Sequence, residues 1–305
     1  MTTPRIVVVG SYNRDIVLSV AHLPAPGETC LSLGRLESPG GKGSNQAIQA
    51  ARCGAPVAMI AAVGADGAGE EALRLWREDG VDASGVARLP DAGTGMAMIL
   101  VDQAGENSIV VDSGANARLA PDHVRQAARL IDGAGLVLAQ LETPLDATLE
   151  AFGLARAAGV RTVLNAAPAP KALDAAALAL TDILVVNEIE GLALSGETEP
   201  QAIGARLLET VREAVIVTLG REGALLCRPG KAPHARGSHT VEVVDTTGAG
   251  DAFIGAFCAK LAVGDDATEA LRWGLAAGAI ACCAKGAAAS FRDAAQIGAL
   301  VAAGS

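Results

Sequence analysis

The sequence predicts an α/β fold, a mainly parallel β-sheet covered by helices. Two observations carry this. Beyond about residue 121, segments with strand and helix periods alternate, and such alternation builds right-handed βαβ units. The strand segments are continuous apolar runs, as strands buried on both faces are. A third observation places ligand chemistry on the sheet. Polar residues follow several of these runs directly, at the edge where open parallel sheets bind ligands.

Ile6 to Gly10 is the first apolar run, and Ser11-Tyr12-Asn13-Arg14-Asp15 follows it. Asn13 and Asp15 are two apart, so on an extended chain they project to one side and can grip adjacent hydroxyls; an ordinary polar turn is the plainer reading. Ile16 to Val20 and Thr29 to Leu36 read as short strands joined through Pro24-Ala25-Pro26-Gly27. Pro39-Gly40-Gly41-Lys42-Gly43-Ser44-Asn45-Gln46 then opens a helix that stops near Cys53-Gly54. This loop is neither a Walker A sequence nor GxGxxG, since Gly43 follows Lys42 and Gln46 stands where the last glycine belongs. Three glycines around a lysine before a helix favour a ligand role over a plain flexible loop.

Val57 to Val63 is another buried strand, and Glu70 to Asp79 an amphipathic helix. Met96 to Val101 and Ser108 to Asp112 read as a hairpin. Helices over Pro121 to Ile131, Leu145 to Ala158, Lys171 to Leu180, Ile189 to Leu194 and Gln201 to Val211 alternate with strands. The strands are Leu136 to Leu141, Arg161 to Asn165, Ile183 to Val186 and Val215 to Leu219. Glu142, Asn187, Glu190 and Thr218-Leu219-Gly220-Arg221-Glu222-Gly223 lie at their ends. Singly each reads as a cap or loop residue; together they line one edge, as a ligand crevice does.

Near the C-terminus, Val241-Glu242-Val243-Val244 alternates like a strand and runs into Asp245-Thr246-Thr247-Gly248-Ala249-Gly250-Asp251. Ala252, Phe253, Ala256, Phe257 and Leu261 continue with helical spacing. A strand, a small-residue turn and a helix start make an anion site, because the first helical N–H groups lack internal partners and the helix dipole is positive there. Gly248 and Gly250 are expected to let the backbone approach a ligand. Asp251 repels an anion, so it reads either as a general base beside a phosphoryl group or as a helix cap.

Half of the 305 residues are hydrophobic but only 2% are aromatic, so the core is built from Ala, Val, Leu and Ile. A net charge of −10 with scattered basic residues argues against nucleic acid or an anionic membrane as partner. Met1-Thr2-Thr3-Pro4-Arg5 runs straight into a strand without the features of a signal peptide, and no apolar run reaches transmembrane length. The six cysteines lack CxxC spacing and are expected to be reduced and buried; the four histidines lack metal-like pairing; no GxSxG is present. A cytoplasmic protein is expected.

Asn13-x-Asp15, Gly40-Gly41-Lys42-Gly43-x-Asn45-Gln46, Asn187-x-x-Glu190 and Asp245-Thr246-x-Gly248-Ala249-Gly250-Asp251 resemble the signatures of the ribokinase-like (pfkB-type) carbohydrate kinases. Gly114-Ala115-Asn116, Gln140-Leu141-Glu142-Thr143-Pro144 and Asn165-Ala166-Ala167-Pro168-Ala169 match as well, so the resemblance runs almost end to end. It implies a three-layer αβα sandwich over residues 1–305, with a discontinuous β-sheet lid from residues 11–38 and 94–114. It implies ATP-dependent transfer to the C5 hydroxyl of D-ribose and a homodimer formed through the lids. By position, Ser11, Asn13, Asp15, Gly41, Lys42, Gly43, Asn45, Glu142 and Asp251 would contact the sugar. Asn187, Thr218, Gly220, Arg221, Gly223, Gly250 and Leu275 would contact ATP, with Glu190 acting indirectly on Mg²⁺. Gly248, Ala249, Gly250 and Asp251 would form the anion hole and base. Potassium would bind at Asp245, Thr247, Ala281, Ala284, Gly286 and Ser290.

Three positions depart from the family pattern. Leu275 stands where a polar residue often adjoins adenine, Ala287-Ala288-Ala289-Ser290 lacks a proline before the serine, and Tyr12 is expected to trim the sugar pocket. A related kinase for another pentose, a ketohexose or a nucleoside stays open, as does a sugar sensor without catalysis.

Overall fold

The computed structural model describes residues 4–304, so the expectations touching residues 1–3 and 305 lie outside it. The chain opens with β1 (Ile6–Val9), β2 (Asn13–Ser19), β3 (Gly34–Gly40) and α1 (Lys42–Arg52). Next come β4 (Val57–Gly64), α2 (Gly67–Glu78), β5 (Val81–Leu89), β6 (Met96–Val101) and β7 (Asn107–Asp112). The alternating part runs α3 (Pro121–Gln126), β8 (Leu136–Ala139), α4 (Leu145–Ala157), β9 (Arg161–Asn165), α5 (Ala175–Ala179) and β10 (Ile183–Asn187). It continues with α6 (Glu188–Ser195), α7 (Pro200–Leu208), β11 (Ala214–Thr218), β12 (Ala224–Cys227) and β13 (His234–Arg236). The helices α8 (Ala249–Ala262), α9 (Ala267–Ala281) and α10 (Ala294–Ala303) close the chain.

The main sheet has the order β13-β12-β11-β10-β9-β8-β1-β4-β5. From β5 to β11 every pairing is parallel; β12 and β13 add antiparallel edges. Alternate residues of each strand face opposite layers, as the two-residue period requires. Ile6 and Val8 of β1 join a core with α1, α2, α8, α9 and α10, whereas Val7 and Val9 join one with α3, α4 and α7. The result is the expected αβα sandwich. Strand order reverses at β1, between β8 and β4, and such a switch point opens a crevice at the carboxyl ends. The second sheet, β3-β2-β6-β7, stands on that edge and includes the expected hairpin.

Several elements differ from expectation. Val241–Val244 is not a strand: it has no ladder partner, and Val244 N and Asp245 N instead donate to Cys282 O. The second strand of the small sheet begins at Gly34 rather than Thr29, and α5 begins only at Ala175. Two cysteines, Cys227 and Cys258, are buried, while Cys283 is exposed. β5 escapes the sequence because Asp82, Ser84 and Gly85 interrupt its apolar run at a half-exposed sheet edge. α9 escapes because it is apolar nearly all round; it packs on α8, where a Cβ at Gly274 would lie 2.9 Å from the Phe253 ring. No helix of the described residues is long and apolar enough to cross a membrane.

Candidate active site

Two helices begin at glycines with left-handed backbone and meet over the switch point. Gly41 (φ 90°) precedes α1 and Gly248 (φ 76°) precedes α8. A side chain is disfavoured at such φ, and both glycines are also closely approached. A Cβ at Gly41 would lie 2.7 Å from Tyr12 Cα, and one at Gly248 would lie 2.8 Å from Ala287 Cα. The space at Gly248 is therefore filled by the protein and not by a ligand. At Gly250 nothing lies within 4 Å of the Cβ position, so this is the residue that leaves room for one.

The two helix starts are satisfied differently. At α1, Lys42 N donates to Glu142 Oε2 at 2.9 Å, and Ser11 Oγ donates to the same oxygen at 2.5 Å. Gly43 N reaches Ser11 Oγ, and Ser44 N donates to Ser11 O. A carboxylate of the chain thus occupies the positive helix end. At α8, Ala249 N donates to Thr246 O and Ala252 N to Gly248 O. The N–H groups of Gly250 and Asp251 find no acceptor among the described residues.

Asp251 is buried in the first turn of α8. Asn45 Nδ2 donates to its Oδ2 at 2.9 Å and Gln46 Nε2 to its Oδ1 at 2.9 Å. Burial pushes its pKa up; Lys42 and the two amide donors pull it down, and Glu142 raises it further. Asp15 on β2 is raised to about 6, first by burial and then by Glu142 and Asp251. Its carboxylate accepts no hydrogen bond among the described residues, and Asn45 Oδ1 is buried without a partner. The site therefore gathers acceptors that only a donor-rich ligand satisfies.

Asn13 is buried, and its Oδ1 accepts from Asn116 Nδ2 at 2.8 Å. Asn116 also pairs with both backbone groups of Tyr12, pinning the turn from β1 into β2. Tyr12 does not trim the site. Its ring is fully buried and packs edge-on against Trp76, 5.8 Å between centroids, and burial raises its phenol pKa. Ser11 is equally buried, its hydroxyl held between Glu142 and Gly43.

A cavity of about 260 Å³ lies under α8, lined by Lys42, Glu190, Gly248, Gly250 and Asp251 among others. A second, of about 760 Å³, adjoins it and contains Asn187, Thr218, Gly220, Arg221, Gly223, Gly250 and Leu275 in its wall. Asn187, Thr218, Thr246, Gly250 and Phe253 belong to both. Asn187 and Glu190 form a reciprocal capping box, with Asn187 N to Glu190 Oε2 at 2.9 Å and Glu190 N to Asn187 Oδ1 at 2.8 Å. Glu190 is buried and its pKa is raised, first by burial, with Asp251 adding and Lys42 opposing. A buried carboxylate with one oxygen unspent beside a polar cavity suits a hard cation.

Asp245 ties the α8 approach to the turn after α9. Its Oδ1 accepts from Thr247 N and Oγ1, and its Oδ2 from Gly286 N, which hold its pKa low against burial. Ala281 ends α9, and Ala284, Gly286 and Ser290 follow in that turn. With the Asp245 carboxylate already engaged, a cation there would be served mainly by backbone carbonyls.

Three buried amides near Asp251 escape a residue-by-residue search: Gln46, Gln140 and Asn165. Gln140 Nε2 donates to Gln46 Oε1 at 2.7 Å, and Gln46 Nε2 also donates to Asn165 Oδ1 at 3.0 Å. The signal available was position for two of them, since Gln140 follows β8 and Asn165 ends β9, whereas Gln46 lies inside α1.

Compared with known proteins, residues 3–294 match the pfkB family carbohydrate kinase model. A ribokinase of Haemophilus influenzae is 40% identical over 287 residues, covering 92% of this chain and 93% of that protein. A deoxyribokinase of Salmonella typhi is 32% identical over 278 residues, covering 88% and 89%. The solved structure of Arabidopsis thaliana ribokinase complexed with ribose and ATP superposes with a TM-score of 0.93 at 31% identity, covering 98% of this chain and 99% of that one.

Proposed function

The chain belongs to the pfkB family of carbohydrate kinases, and we propose that it transfers the γ-phosphoryl group of ATP to the C5 hydroxyl of D-ribose. The observation that carries this reading is the open helix start at Gly250 and Asp251, where both residues line the smaller cavity and Gly250 also lines the large cleft.

Asp15, Glu142, Asn45 and Asn13 take the sugar, whose several hydroxyls supply the donors that the Asp15 carboxylate and Asn45 Oδ1 lack. Asn187, Thr218, Gly220, Arg221, Gly223 and Leu275 line the nucleotide cleft, where Leu275 offers an apolar face to the base. The amides of Gly250 and Asp251 hold the charge that develops on the transferring group. Asp251, ionised and gripped by Asn45 and Gln46, accepts the C5 hydroxyl proton, an effect typically worth about 10² to 10⁴ in rate. Lys42 stands in the same cavity and balances the carboxylates.

Mg²⁺ travels with ATP and offsets phosphate charge; Glu190 and Asn187 are the residues that would hold its shell. Potassium binding at the Asp245–Ser290 turn, with Thr247, Ala281, Ala284 and Gly286, belongs to the same proposal. The second sheet serves as the lid, with segments 11–38 and 94–114 attached to one kinase domain. Leu36, Ile109, Val110 and Val111 on it are more than half exposed, which supports a homodimer through the lids. Work in the cytoplasm fits this activity.

The test is ATP-to-ADP turnover over ribose, deoxyribose, other pentoses, ketohexoses and nucleosides, with potassium or sodium. Preference for ribose and stimulation by potassium are expected. Turnover on nucleosides or deoxyribose with none on ribose refutes the substrate reading, and indifference to the cation refutes the potassium site.

A further inference from the structure

We propose that Gln46 is a positioning residue for Asp251, locked in its productive amide orientation by Gln140 and Asn165. The inference rests on the reading of Asp251 as the base. All three amide residues are buried, so their hydrogen bonds are made within the protein or not at all. An ionised carboxylate only accepts, which sets the Gln46 nitrogen toward Asp251. Gln46 Oε1 must then take a donor, and Gln140 Nε2 supplies it at 2.7 Å. The second Gln46 N–H needs an acceptor, and Asn165 Oδ1 supplies it at 3.0 Å. Asn165 is oriented in turn by its own Nδ2, which reaches Val185 O. Turning any one of these amides over sets like atoms against each other. A flipped Gln46 would aim an oxygen at the carboxylate.

The network therefore spans the carboxyl ends of β8, β9 and β10 and converges on one carboxylate oxygen through α1. Asn45, from the same helix turn, holds the other oxygen. Four charged groups also face Asp251: Lys42 from α1, Glu142 after β8, Asp15 from β2 and Glu190 from α6. Three of them are acidic, so N–H donors are what keep Asp251 ionised and aimed at the acceptor hydroxyl. Removing the Gln46 donor disfavours the ionised form, which moves the acid limb of kcat/KM upward in pH.

The experiment is the pH profile of kcat/KM for ribose in the wild type, Gln46→Met, Gln140→Met and Asp251→Asn, with thermal unfolding of each. Gln46→Met is expected to lose about 10²-fold in turnover and to raise the acid limb by about one pH unit. Gln140→Met, one step removed, is expected to move both in the same sense by less. A merely structural role lowers the unfolding temperature and leaves the limb in place, and that result overturns the proposal. Wild-type turnover in Asp251→Asn breaks the base reading itself. An inactive Asp251→Asn beside an unshifted, active Gln46→Met breaks the relay alone. Should the methionine variants not fold, NMR of the wild type decides. The Gln46 side-chain amide is expected to titrate with the Asp251 carboxyl carbon, and an amide insensitive to that titration refutes the contact.

Discussion

The starts of α1 and α8 are built from the same parts and do opposite things. Both have a glycine in left-handed conformation, and both lie at the carboxyl edge of the main sheet. At α1 the free amides are filled from within, by Glu142 and Ser11. At α8 two are left open, above a cavity. A glycine-rich helix start is thus only a potential anion site. Whether the chain supplies its own carboxylate decides if it becomes one. The filled start does a different job: it carries Asn45 and Gln46, which grip Asp251, the proposed base at the open one.

Alanine at Gly250 breaks the open side. Its Cβ meets no protein atom, and the change favours helix, so the unfolding temperature should hold or rise. Turnover should fall about 10²-fold or more, because the methyl fills space left for the reacting group and displaces it from the open amides. Wild-type turnover would show that the reacting group does not use the space beside Gly250. Alanine at Gly41 breaks the filled side in the reverse manner, through strained backbone and contact with Tyr12 and Asn13. Chemical denaturation should register a loss of about 1–3 kcal/mol or more. An undiminished stability would mean that the α1 start is not close-packed.

Glu142→Gln sharpens the contrast with a smaller change. It removes the charge at the α1 start, a cost of about 0.3–1 kcal/mol. It also removes a charge that raises the pKa values of Asp15 and Asp251. The acid limb of kcat/KM should therefore move down, opposite to the shift expected for Gln46→Met. An upward shift would contradict the electrostatics. The smallest effect is in the wild type. Asp15, raised from 3.8 to about 6, holds its proton longer in the folded chain than in the unfolded one. Its stabilising contribution is complete below about pH 4 and is lost as pH rises through about 6. Ribose, donating to the ionised carboxylate, should raise the unfolding temperature more above that pH than below it. Calorimetry with and without ribose checks this, and a ribose effect constant across the window would remove Asp15 from the sugar site.

Much of this was legible in the sequence because burial on both faces leaves a continuous apolar mark. β1, β4, β8, β10 and β11 carry that mark, and the residues after β1, β8, β10 and β11 form the site edge. The turn before Asp251 was legible as a candidate anion site, since small residues leading into a helix start are its parts, although the same parts at α1 are filled from within. Val241–Val244 misled because its apolar alternation matches a strand, whereas Val243 and Val244 are more than half exposed and Val241 and Val243 line the rim of the large cavity. The filling of the α1 start was hidden, because Glu142 lies 100 residues away from Lys42 and its oxygen reads locally as a strand-end residue. The amides around Asp251 were hidden for the same reason: their partners are 94 to 205 residues apart.

The most direct measurement is turnover of Asp251→Asn at saturating ribose and ATP, with ribose binding measured by calorimetry on the same sample. The expected result is unchanged ribose affinity with turnover at least about 10²-fold below wild type. Near-normal turnover would contradict the account, because the carboxylate that the two helix starts jointly hold would then not be the base.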